Sequence, residues 1–214
     1  MTTTSVIFDV DGTLIDSHAF DDELYGRALR EVLGEVFIRP AWSDYEHVTD
    51  TGILREVCRE NRLDIRAHEG PVRRRFGELV AAYLSRPNAC RAIDGGVALF
   101  ESLRRQPGVH VGIATGGWTH TALMKLQAAS YEVQGVVLAS ADDAFARTEI
   151  LEIARARLPH SDRVVYVGDG EWDRKACELL GWPFVGIGER LRGRCTHWMT
   201  DFSSDRVLKA VIEQ

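Results

Sequence analysis

Three things are scarce in this chain: cysteine in any metal-binding spacing, excess positive charge, and long apolar runs. Its four cysteines, Cys58, Cys90, Cys177 and Cys195, show no C-x-x-C pattern. That argues against a zinc site or a disulfide framework and suits a reducing compartment. With a formal net charge of -6, the protein has no global basic field to recruit nucleic acid, and a small anionic substrate would have to be drawn by local cations. No apolar run approaches the ~18 residues that a membrane span needs, and Met1 to Ser5 is a short polar lead without the cationic and apolar regions of a signal peptide. The expectation is a soluble, cytoplasmic protein whose partners are small molecules, with neither nucleic acid nor membrane among them and with its oligomeric state left open.

What is present is concentrated first in Val6-Ile7-Phe8-Asp9-Val10-Asp11-Gly12-Thr13-Leu14-Ile15. An apolar run ends there in two carboxylates one residue apart. In extended backbone residues i and i+2 share a side, so Asp9 and Asp11 leave the strand together, and Gly12 permits a turn that a side chain would hinder. A lone D-x-D reads as an acidic turn. D-x-D-G-T is rarer, with about one chance occurrence per several hundred chains of this size. A calcium loop does not fit, because Gly12 falls fourth and Phe20 twelfth, where that loop needs its glycine sixth and a carboxylate last.

From residue 16 to residue 90 the texture changes to helical periodicity with many charges, as in an inserted helical cap. Leu24, Ala28, Val32 and Leu33 recur until Gly34; Ile53, Leu54 and Val57 precede Asn61; Phe76, Leu79, Val80 and Tyr83 precede Pro87. Arg73, Arg74 and Arg75 read as a solvated helix face, with a phosphate patch as the alternative. His18 and Arg55 could each reach a substrate from such a cap, although the sequence does not fix their direction.

After Asp94-Gly95-Gly96 the pattern alternates strand and helix. Val109–Ala114, Val136–Ala139, Val164–Val167 and Phe184–Ile187 are short apolar runs separated by helix-length stretches, the signature of a parallel sheet covered on both faces. Ligands in such sheets sit beyond the carboxyl ends of the strands. One of these runs ends in Thr115-Gly116-Gly117-Trp118, which offers a hydroxyl and close backbone approach for an anion at a helix start. Another ends in Gly168-Asp169-Gly170-Glu171-Trp172-Asp173, with two carboxylates one helical turn apart. If Asp9, Asp11, Asp169 and Asp173 met at about 4 Å they would repel by roughly 4 kcal/mol per pair at an effective dielectric near 20. A cation is the simplest remedy, and hard oxygen donors favour magnesium. Trp118 and Trp172 adjoin these motifs as candidates to line a pocket, against a core reading for each. The chain end reads as an edge strand at Trp198, a turn, and a helix packed through Val207, Leu208 and Val211.

These motifs, in this order, resemble the haloacid dehalogenase (HAD) superfamily of hydrolases, in particular the phosphoglycolate phosphatase and beta-phosphoglucomutase-like subgroup with a helical cap after the first motif. The resemblance implies an α/β fold with a Rossmann-like parallel sheet at residues 1–15 and 91–214, helices on both faces, and a cap at 16–90. It implies a magnesium-dependent phosphatase in which Asp9 is the nucleophile and Asp11, protonated, the general acid and base. Asp9, the Asp11 carbonyl oxygen and Asp169 would ligate magnesium with support from Asp173, and Thr115 and Gly116 would bind phosphate. One motif departs: the family's usual lysine before the fourth strand is replaced by Arg147-Thr148. Arg147 is assigned its role, and Lys125, expected to point away from the strand mouth, and Lys175 are its rivals. Two alternatives stand beside the phosphatase, a phosphosugar mutase and a non-catalytic binding module.

Overall fold

The first strand, β1 (Thr4–Phe8), is buried along its whole length, because a parallel strand inside a sheet has no solvent side and needs apolar side chains on both faces. Val6 and Phe8 join one apolar cluster and Ile7 the other, the period-two division of an extended chain. The computed structural model describes residues 2–213, without the side chains of Ala19, Val211 and Glu213.

Five further strands follow: β2 (Val109–Ala114), β3 (Val137–Ala139), β4 (Arg163–Gly168), β5 (Phe184–Ile187) and β6 (His197–Met199). All are parallel, in the order β3-β2-β1-β4-β5-β6. The chain builds outward from β1 through β2 and β3, then returns to lay β4, β5 and β6 on the other side. The reversal falls between β1 and β4, where a parallel sheet opens a crevice at its carboxyl edge. Strand positions read from the sequence for β2 to β5 hold to within a residue, with β3 starting one residue later and β4 gaining Arg163 and Gly168, while β1 starts at Thr4, two residues before the apolar run that marks it.

Helices α1 (His18–Leu33), α2 (Asp50–Glu60), α3 (Ile65–Leu84) and α4 (Gly96–Arg105) lie between β1 and β2, followed by α5 (Thr119–Ala128), α6 (Arg147–Arg157), α7 (Glu171–Leu180) and α8 (Arg206–Glu213). Phe8 meets Phe100 of α4 and Phe202 at ring separations of 5.8 and 6.1 Å on one face of the sheet. Ile150 and Leu151 of α6 and Ala176 and Cys177 of α7 pack with Ile7 and Tyr166 on the other. Leu208 of α8 is buried and Val207 partly so; the expected packing of Val211 lies outside the described residues.

The stretch holding α1, α2 and α3 adds no strand to the sheet. Its two ends run side by side: Ile15 bridges Ala92, the Asp16 N–H donates to the Arg91 carbonyl at 2.9 Å, and the Ile93 N–H donates to the Leu14 carbonyl at 2.9 Å. One apolar cluster nevertheless continues from Val6 and Phe8 through Tyr25 to Leu54 and Phe76, so the helices rest on the sheet's carboxyl edge rather than hang from a bare linker. The arginine run is a surface of ion pairs. Arg73 pairs with Asp142 and lies over the Trp118 ring at 5.3 Å, tying the helices to the sheet, while Arg75 pairs with Glu31 and Glu78 and Arg74 is exposed. Among the described residues no helix is long and apolar enough to cross a membrane.

Candidate active site

Asp9 follows β1 directly, and its N–H extends the ladder to the Val167 carbonyl at 2.9 Å. Thr115 follows β2, Asp169 follows β4, and Arg147 opens α6 beyond β3. Three strand ends and the start of α6 therefore deliver these four side chains to one mouth. A cavity of about 100 Å³ opens there, lined by Asp9, Asp11, Thr115, Gly116, Arg147 and Trp172 among others.

Asp9, Asp169 and Asp173 are buried, and each turns one carboxylate oxygen into a group lying within 4.8 Å. Asp173 is held from behind: it accepts from the Gly170 N–H at 3.1 Å and the Tyr166 hydroxyl at 3.3 Å. The Arg147 guanidinium stands between the acids, with Nη1 3.2 Å from Asp9 Oδ1 and Nε 3.3 Å from Asp173 Oδ1. Burial and then the neighbouring Asp173 charge push the Asp9 carboxyl well above its ordinary range, against the pull of Arg147. Burial raises Asp173 to about 6, although Arg147 pulls it down. Asp169 Oδ1 is buried with no hydrogen-bond partner. A buried oxygen left without a partner is costly in a low dielectric, and these three carboxylates, with no thiol or imidazole among them, suit a hard divalent cation.

The second oxygen of Asp169 is occupied. His18 Nε2 lies 2.7 Å from Oδ2, and Arg190 Nη1 lies 3.7 Å from the same atom. Burial opposes charge on His18, but the hydrogen bond to Asp169 and the attraction of its carboxylate together outweigh it and raise the imidazole above its usual value. Gly12 makes this contact possible. Its φ is +78°, and a Cβ there would stand 1.9 Å from His18 Nε2 and 2.6 Å from Asp169 Oδ2. His18 thus reaches the site from α1. Arg55 does not, for it stacks on Phe145 at 4.5 Å beside another cavity.

One expectation requires correction. Lys125 does not point away from the strand mouth: its Nζ lies 2.6 Å from Asp11 Oδ1 and 2.7 Å from Asp21 Oδ1, with the side chain wholly shielded from solvent. The helix α5 runs alongside the site rather than leading away from it, and its buried face carries Thr121, Ala122, Lys125 and Leu126. At Asp11 burial would raise the carboxyl, but Lys125 and the Ser17 hydroxyl both donate to Oδ1 and hold it below the ordinary value. Its other oxygen, Oδ2, is 3.6 Å from where a Cβ on Gly117 would stand. Trp118 is buried core packed on Tyr25 and Phe76, whereas Trp172 lines the cavity. Lys175 is exposed.

The loop before α2 closes over this mouth. The Asp50 N–H donates to the Gly116 carbonyl at 2.8 Å, the Trp118 N–H donates to Asp50 Oδ2 at 2.8 Å, and the Thr49 hydroxyl donates to the Phe145 carbonyl at 2.8 Å. Arg147 Nη2 donates to the Val48 carbonyl at 3.4 Å. Sequence reasoning weighed Lys125 only as a rival to Arg147 and aimed it away from the mouth, although a charge set within the apolar stripe of α5 was a signal of its burial; Asp21 and Asp50 it missed.

The family model of haloacid dehalogenase-like hydrolases matches residues 3–181, and the chain belongs to that family of enzymes. No curated protein matches the sequence. A hydrolase from Pseudomonas syringae shares the fold with a TM-score of 0.76 at 22% identity, covering 99% of each chain. A point mutant of CbbY from Rhodobacter sphaeroides, solved with xylulose-(1,5)bisphosphate, gives 0.71 at 16% identity, covering 95% of this chain and 96% of that one. A Lactobacillus plantarum protein assigned as a phosphoglycolate phosphatase gives 0.61 at 18% identity, covering 94% of this chain and 96% of that one. At such identities these likenesses show the fold.

Proposed function

We propose that the protein is a magnesium-dependent phosphatase that hydrolyses a small phosphate monoester through an aspartyl-phosphate on Asp9, with residues 16–90 acting as a cap domain over a core of residues 1–15 and 91–214. The observation that carries this reading is Arg147, set between Asp9 and Asp173 beside Thr115 and Gly116. A phosphate seated there meets a guanidinium fork that also steadies the nucleophile. Magnesium would be held by Asp9, the Asp11 carbonyl oxygen and Asp169, with Asp173 in support, and when bound would supply neutralisation of the charge between phosphate and Asp9.

Uncatalysed phosphomonoester hydrolysis is among the slowest of reactions, with accelerations reaching about 10²¹-fold, so charge neutralisation and alignment are the main tasks. Asp9 attacks phosphorus, forming the O–P bond of an aspartyl-phosphate as the ester O–P bond breaks. The departing alkoxide takes a proton from Asp11. That proton is acquired on binding, since a phosphate anion brought beside an ionised carboxylate raises its proton affinity. Asp11, ionised again, then removes a proton from the water that releases phosphate and restores Asp9. Arg147 takes the place of the family lysine, with Nη1 donating to Asp9 and the guanidinium ion-paired to Asp173.

The test is a panel of phosphorylated metabolites assayed for free phosphate with and without magnesium. Magnesium-dependent release that is lost in Asp9→Asn supports the reading. A product isomer in place of free phosphate would identify a mutase, and normal steady-state release from Asp9→Asn would remove the nucleophile assignment.

A further inference from the structure

The two halves of the cavity differ in charge. Where phosphate is proposed to sit, cations gather: Arg147 lies against Asp9, and His18 and Arg190 lie against Asp169. Beyond His18 and Arg190, which both pull on Asp22, the lining from α1 to α2 is acidic and aromatic, with Asp21, Asp22 and Asp50 beside Tyr25 and Trp42. Asp21 is matched by the buried Lys125. Among the described residues, neither Asp22 nor Asp50 has a cation within ion-pair distance.

A second observation is independent of that count. The Trp118 N–H, at the start of α5, is the kind of donor that takes an anionic group of a ligand. Here Asp50 Oδ2 already accepts from it at 2.8 Å, and Asp50 is itself fixed by its N–H on the Gly116 carbonyl and by the Tyr25 hydroxyl on its own carbonyl. The chain fills that place with its own carboxylate. A second phosphate or a carboxylate on the substrate would find that donor taken; burial pushes the Asp50 carboxyl well above its ordinary range, and an ammonium beside it would favour the ionised form.

Building on the phosphatase reading, we propose that the substrate is the phosphate ester of a cationic alcohol, an amino alcohol or amino sugar, whose ammonium is held among Asp22, Asp50 and the rings of Tyr25 and Trp42. An ammonium brings only donors to carboxylates that bring only acceptors, and aromatic faces add attraction for a cation freed of its water. The cavity volume of about 100 Å³, well under the roughly 300–1,000 Å³ of pockets that enclose drug-sized ligands, calls for a compact leaving group. A bisphosphate is disfavoured on both charge and size, which also separates this site from a mutase that must re-seat one.

The experiment uses the full chain with magnesium and compares kcat/KM for phosphate release from three two-carbon esters: phosphoethanolamine, ethyl phosphate and phosphoglycolate. Glucosamine 6-phosphate and glucose 6-phosphate form a second, larger pair. The expected order is amine, neutral, carboxylate, with at least about tenfold between the first and last. Asp22→Asn and Asp50→Asn, the latter keeping an acceptor for the Trp118 N–H, are expected to lower the ratio of amine to neutral ester by several-fold. Preference for phosphoglycolate, or an amine-to-neutral ratio unmoved in both variants, overturns the inference while leaving the phosphatase standing. Release from none of these esters, nor from the wider panel, overturns both.

Discussion

Lys125 Nζ lies 2.6 Å from Asp11 Oδ1 and is fully shielded from solvent. The same nitrogen is 2.7 Å from Asp21 Oδ1, so one cation joins the loop after β1 to α1. A buried charge flanked by two carboxylates contributes chiefly through what its loss would leave behind. Lys125→Met strands Asp11 and Asp21 together in a low dielectric, and the expected loss of stability is about 3–5 kcal/mol. A lower urea midpoint with an unchanged slope would show it, and a midpoint equal to that of the unmodified protein would show that the contact contributes nothing.

Arg147 admits a graded test. Arg147→Met removes the guanidinium that faces Asp9 and Asp173, and kcat for phosphate release should drop by roughly 10²–10³-fold, the range for losing a charge-stabilising donor. Arg147→Lys keeps the charge but offers a single compact ammonium in place of a fork. Its kcat should fall between the two. A lysine variant as impaired as the methionine variant would mean that the shape of the fork, rather than its charge, is what the reaction uses.

Gly116 is confined by what surrounds it. A Cβ there would stand 2.7 Å from Arg147 Nη2 and 2.9 Å from the Val48 carbonyl. Arg147 can yield more easily than backbone, so Gly116→Ala should displace the guanidinium and lower kcat/KM about tenfold or more, while thermal unfolding shows a stability loss of no more than about 1–3 kcal/mol. Unchanged kinetics would place Arg147 outside the rate-determining geometry.

The sheet was legible because each of its strands carries a short apolar run bounded by turns, and because Asp9, Thr115 and Asp169 sit where those runs end. Arg147 was legible from its position before the fourth strand. What stayed hidden depends on rotation and packing rather than on spacing. The direction of Lys125 follows from how α5 lies against α3, and the reach of His18 depends on the positive φ of Gly12. Asp50 was invisible for a related reason. It opens a helix, where an acid is ordinary, and only the closure of residues 48–51 onto the loop after β2 turns it into a wall of the cavity.

Metal binding should show in the pH dependence of stability. Burial raises both Asp173 and Asp21 to about 6, each against a pull from Arg147 or Lys125, whereas an unfolded aspartate titrates near ~4. For such raised carboxyls the stabilisation is complete below the unfolded value and is lost as pH rises through about 6. Asp11 runs the other way: held low mainly by Lys125 against its burial, it contributes stability above ~4 that disappears in acid. Between roughly pH 5 and 7 the raised pair therefore lowers Tm in the absence of magnesium. A cation takes only ionised carboxylates, so excess magnesium should raise Tm little near pH 5 and by about 5–10 °C near pH 7.5, the shift expected when ligand stands at about 100 times Kd. Asp169→Asn, altering the carboxylate whose Oδ1 has no partner, should abolish that gain. Scanning calorimetry at the two pH values settles it: an equal gain at both, or a full gain in Asp169→Asn, would take the metal away from these acids.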